Sequence, residues 1–81
     1  MAFERRHIEE PTDATGYLDR GNRYSRNGVY HKAIEDYNRA IKLKPDHAGA
    51  YYNRGIANKV LGNNAEAKAD MNKGRELGFQ D

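Results

Sequence analysis

The sequence contains no cysteine, which excludes a disulfide framework, a thiolate metal site and a thiol nucleophile, and which suits a reducing compartment. It has no apolar run near the roughly 20 residues that a membrane span needs. Its first residues, Met1-Ala2-Phe3-Glu4-Arg5-Arg6-His7, lack the apolar stretch of a secretory signal. A soluble, cytoplasmic protein is expected. An excess of one charge sign is also missing. Fourteen basic residues face twelve acidic ones for a net charge of +2, and the two signs are interleaved, so no basic patch built for nucleic acid stands out. The one serine, Ser25, has no base placed to activate it. His7, His31 and His47 do not cluster, and His31 with Glu35 at i, i+4 supplies only two of the ligands a metal needs. The eight glycines are scattered rather than gathered into a phosphate loop. Catalysis, cofactors and metals are therefore not expected.

With 81 residues, 37% hydrophobic and 32% charged, the chain suffices for one small domain, which buries about 60% of the surface its unfolded form exposes. Its main feature is an internal repeat. Shifting the chain by 34 residues matches Ala14 with Ala48, Tyr17 with Tyr51, Arg20 with Arg54, Gly21 with Gly55 and Gly28 with Gly62. The same shift matches Ala33 with Ala67, Asp36 with Asp70, Asn38 with Asn72 and Leu43 with Leu77. Each copy reads as helix, turn, helix. Tyr17, Gly21 and Tyr24 recur at helical spacing, Asn27-Gly28 breaks the chain, and Tyr30, Ala33, Ile34, Tyr37, Ala40 and Ile41 form a wide apolar stripe. Lys32 with Asp36 and Glu35 with Arg39 stand four apart as supporting ion pairs. Pro45-Asp46 ends the second helix, and Asp46 is expected to cap the third. The second copy predicts a helix over about Ala48 to Leu61, a Gly62-Asn63-Asn64 turn and a helix to about Leu77. With no strand signal, the fold class is all-α.

Tyr17, Gly21, Tyr24, Gly28, Tyr30, Ala33, Tyr37, Ala40 and Pro45, with Tyr51, Gly55, Gly62 and Ala67 in the second copy, resemble the tetratricopeptide repeat signature. That resemblance implies two tandem helix-turn-helix units, a fragment of a right-handed α-solenoid. Repeat one spans 14–47 and repeat two 48–81, behind an extension over 1–13 in which Phe3 and Ile8 are candidate anchors. The second copy carries Asn64, Lys68, Gly74, Arg75 and Phe79 where the first has Tyr30, Ile34, Ala40, Ile41 and Pro45. Its last helix therefore reads as a polar self-cap, with Phe79 folded back and the end near Gly74 frayed.

The resemblance further implies a non-enzymatic module that binds a protein or peptide through a concave groove lined by the first helix of each repeat. The groove residues expected are Leu18, Asn22 and Arg26 from repeat one and Tyr52, Asn53, Ile56 and Lys59 from repeat two, flanked by Asp19, Ser25 and Val60. Tyr17, Tyr24, Tyr30, Tyr37 and Tyr51 read as core instead. Asn22 and Asn53 match the asparagines with which some members clamp acidic chaperone tails. Leu18 stands where the first clamp lysine belongs, which disfavours that ligand. Two alternatives remain open. Because about three repeats are normally needed for stability, the chain could self-associate as a homodimer. The Arg20–Arg23–Arg26 ridge could bind an anionic ligand or nucleic acid, although Asp13, Asp19, Glu35 and Asp36 lie close enough to neutralise it.

Overall fold

A computed structural model of the chain describes residues 10–80; Phe3 and Ile8 lie outside the described residues. Four helices follow one another with short turns: α1 over Ala14–Arg26, α2 over Tyr30–Leu43, α3 over Ala48–Val60 and α4 over Asn64–Glu76. There is no strand among the described residues. Helices α1 and α2 form one antiparallel hairpin, α3 and α4 a second, and α3 also lies against α2.

The turns follow from local chemistry. Helices α1 and α3 end on glycines in the left-handed region, Gly28 at φ 79° and Gly62 at φ 86°. That conformation lets the next amide reach back to a carbonyl otherwise left without a partner. Val29 N–H donates to the Tyr24 carbonyl at 2.8 Å, and Asn63 N–H to the Asn58 carbonyl at 2.8 Å. Asp13 caps α1 by accepting from Gly16 N–H at 2.8 Å. The cap of α3 is His47 and not Asp46: its Nδ1 accepts from Ala50 N–H at 3.4 Å. Since α3 begins at Ala48, Asp46 stands one residue too early to serve.

The core lies between the hairpins. Ala33, Tyr37 and Ala57 form its buried centre, with Leu18, Tyr24, Tyr30 and Ile34 packed around them. Small residues set the helix spacing. A Cβ at Gly21 would come within 2.7 Å of the Tyr37 ring, so α1 and α2 meet there backbone to side chain. Gly74 is a contact position and not a fraying end. It is buried, a Cβ on it would lie 2.9 Å from Tyr52 Cβ and 3.0 Å from the Ala48 carbonyl oxygen, and its own carbonyl accepts from Phe79 N–H at 2.9 Å.

Each hairpin is also pinned by a buried ion pair. Asp36, fully buried, accepts from Arg20 Nε at 2.8 Å and Nη2 at 2.9 Å, and from Arg39 Nη1 at 2.8 Å. Asp70 accepts from Arg54 Nε at 2.8 Å and Nη2 at 2.7 Å. These pairings replace the expected ones: Asp36 faces α1 across the hairpin, so it meets Arg20 instead of Lys32, and Arg39 bonds Asp36 three residues away instead of Glu35. The guanidinium of Arg20 is further flanked by the rings of Tyr17 and Tyr24 at 5.8 and 5.9 Å. Both arginines are held above their ordinary pKa, Arg20 the more strongly. The cause is first their hydrogen bonds to the aspartate, joined for Arg20 by Glu10, which burial partly offsets.

Candidate functional site

Four of the expected groove residues meet. Asn22 and Arg26 of α1 and Asn53 and Ile56 of α3 line one open cavity of about 260 Å³, together with Ser25 and Tyr37. Its floor is a hydrogen-bonded relay. The Tyr37 hydroxyl donates to Asn22 Oδ1 at 2.7 Å, and Asn53 Nδ2 donates to the same oxygen at 3.1 Å. Ser25 Oγ lies 3.1 Å from the Tyr37 oxygen. Because the single tyrosine hydrogen is already used, the serine is the donor in that pair. Asn22 Oδ1 thus accepts twice. What the site presents to a ligand is the Asn22 amide N–H groups, the Arg26 guanidinium and the half-exposed Ile56 side chain. Such a surface favours a ligand with acceptors and one apolar contact.

The relay has a measurable consequence. Burial pushes the Tyr37 hydroxyl above the ordinary tyrosine value of 10.0; the Ser25 hydrogen bond and the Arg26 charge oppose this, and Asp36 adds to it. A raised folded-state pKa means that the neutral ring contributes its full stability below about pH 10 and loses it as pH rises through the folded value. Urea midpoints should therefore fall above about pH 10, and the fall should be shallower in Tyr37→Phe. Equal slopes for the two chains would show that another group governs alkaline unfolding.

The other expected groove residues go elsewhere. Leu18 packs against the core. Tyr52 is 9% exposed, and its ring stacks on Phe79 with centroids 4.1 Å apart and planes at 14°. Phe79 thus folds back, but onto α3. Lys59 lines a separate cavity beside α4. Asp19 and Val60 are exposed. Nor does the arginine ridge present three equivalent cations, since Arg20 is committed to Asp36 and Glu10. Sequence reasoning missed Tyr37 as the centre of the floor, because its helical spacing signals core and it is both buried and hydrogen-bonded into the groove. Among the described residues, no group of three potential ligands stands close enough to hold a metal ion, and no helix is long and apolar enough to cross a membrane.

Comparison with known proteins agrees with the architecture. The profile of the family described as "TPR repeat" matches residues 21–62, and that described as "Tetratricopeptide repeat" matches residues 48–77. The chain is 34% identical over 65 residues to the mouse (Mus musculus) "Tetratricopeptide repeat protein 28", a match covering 80% of this chain and 3% of that protein. It is 35% identical over 52 residues to "Uncharacterized protein MJ0572" of Methanocaldococcus jannaschii, covering 64% of this chain and 60% of the archaeal one. The chain thus spans less than two thirds of the length of either relative. Repeats of this kind generally mediate protein–protein interaction and are typically non-enzymatic. Two successive profile matches, four helices in two hairpins and a repeat of 34 residues lead to one assignment: the chain belongs to the tetratricopeptide repeat family.

Proposed function

We propose that this protein is a non-enzymatic, cytoplasmic adaptor that holds a peptide or helix of a partner protein in the groove between α1 and α3. The observation that carries this reading is the donor-rich floor. Asn22 and Arg26 from one hairpin and Asn53 and Ile56 from the other converge on one cavity, and the Asn22 acceptor is already satisfied within the protein. Backbone carbonyls or a carboxylate of the partner would meet the Asn22 amide and Arg26, while an apolar side chain covers Ile56, which is 42% exposed.

The test is affinity capture from lysate treated with nuclease, followed by tiled peptides of whatever protein is captured. The natural chain is compared with an Arg26→Glu/Ile56→Asp double variant. Both substitutions are at exposed positions, so helicity should be retained. A partner peptide bound by the natural chain and weakened at least about tenfold by the double variant is expected, since desolvated anchors carry most binding energy. Equal binding by both chains would place the contact outside the groove.

A further inference from the structure

A cavity of about 390 Å³ lies away from the groove, on the side of α4 where Ala67 and Met71 form the floor and Lys59, Lys68 and Arg75 the rim. The repeat itself shows what such a face accommodates. Thirty-four residues earlier, Ala67 and Met71 correspond to Ala33 and Tyr37, and those two are covered by α3 through Ala57. Asn72, which also borders the cavity, corresponds to Asn38, whose Oδ1 accepts from Arg54 of α3 at 2.8 Å. The cavity beside α4 is therefore shaped like the seat that α3 fills on α2.

Its chemistry differs from that of the seat on α2. Ser25, Ile34 and Ile41 are replaced by Lys59, Lys68 and Arg75, and no carboxylate among the described residues lines the cavity. Arg75 also bonds Asn72 and lies over the Tyr52 ring. A small apolar floor between cations calls for a helix with small residues on one face and carboxylates beside them. A second copy of this chain does not meet that requirement. Its first helix carries Arg23 at the position where α3 has Ala57, so docking α1 there would press a long cation onto Ala67 and Met71 among three others.

We propose that the α4 seat binds an acidic amphipathic α-helix of a partner protein, laid against α4 as α3 lies against α2. The site is separate from the groove, and the proposal stands whether or not the groove reading does.

The probe is a peptide of residues 46–63 of this chain carrying Asn53→Glu, Arg54→Glu and Lys59→Glu. An i, i+4 lactam between Tyr51→Lys and Gly55→Glu holds it helical. A control peptide, otherwise identical, has lysine at the three charged positions. Fluorescence anisotropy at low salt should show the acidic peptide binding the intact protein at least about tenfold more tightly than the control, with the advantage shrinking as salt is added. A Lys59→Glu/Lys68→Glu variant, altered at two exposed positions, should reverse the order. The single groove variant Arg26→Glu, altered only on α1, should bind the acidic probe as the natural chain does. Equal affinity for the two peptides, binding by neither, a preference unmoved by the lysine reversal, or loss of the probe in the groove variant would each overturn the proposal. So would a protein whose sedimentation mass doubles with concentration and which loses its probe site as it does, because a second copy would then be the occupant.

Discussion

Asp36→Ala should remove a large share of the chain's stability. The carboxylate is fully buried and takes three charged N–H donors, two from Arg20 and one from Arg39. Its removal leaves the Arg20 guanidinium, whose side chain is only 21% exposed, with Glu10, itself 77% exposed, as its one carboxylate partner among the described residues. Breaking a buried pair by deleting one member costs about 3–5 kcal/mol. A chain of 81 residues, at roughly 0.05–0.15 kcal/mol per residue, has about 4–12 kcal/mol in all. Asp70→Ala should be milder. Asp70 also bonds Arg54 twice, but its side chain is 11% exposed, and Lys73 stands where Arg39 would provide a third charged donor. Urea denaturation followed by circular dichroism, run on both variants, checks the order as well as the size. A cost for Asp36→Ala below about 1 kcal/mol would mean that the site relaxes around water, as exposed pairs do.

The second large effect is expected at Gly55, where α3 packs tightly on α4. A Cβ there would stand 2.6 Å from Met71 Cγ, 2.9 Å from the Ala67 carbonyl oxygen and 3.0 Å from the Met71 nitrogen. The methionine side chain can turn aside, but the two backbone atoms can move only if α4 moves. Gly55→Val adds two further carbons in the same place. It should cost about 3 kcal/mol, at the upper end for overpacking, or a melting temperature lower by roughly 12–24 °C for a domain of this size. The substitution would be favoured by helix propensity alone, so a melting temperature changed by only a few degrees would show that propensity offsets the clash.

The helices and turns were legible because their signals are local. Gly28 and Gly62 follow the ends of apolar-periodic segments, and a 34-residue offset places the second hairpin by analogy with the first. That nearby acids neutralise part of the arginine ridge is legible, but the pairing is not, because i, i+4 reasoning ties Asp36 to Lys32 on its own helix whereas its partner Arg20 lies 16 residues away on another. A signal existed: Arg20 with Asp36 and Arg54 with Asp70 recur in both copies at the same separation. Two opposite charges that persist together while their surroundings change point to one another. Tyr52 illustrates a different limit. Its place on the helix, about 100° from Tyr51, leaves its environment open, and the ring that covers it comes from Phe79, beyond the end of α4. The sequence marks Asn22 and Asn53 as separate groove residues. Their hydrogen bond to each other depends on how α3 sits on the first hairpin, which no local pattern encodes.

That bond ties the two hairpins together at the floor of the cavity, because Asn22 belongs to α1 and Asn53 to α3. Any change in the tilt of one hairpin against the other alters the distance between the two amides, and so the shape of whatever fits above them. Tilt and occupancy are then linked quantities, each biasing the other by the same free energy. A guest touching both asparagines would act as a strap across the joint, damping the rocking of the hairpins and raising resistance to unfolding in proportion to the logarithm of its concentration above its Kd.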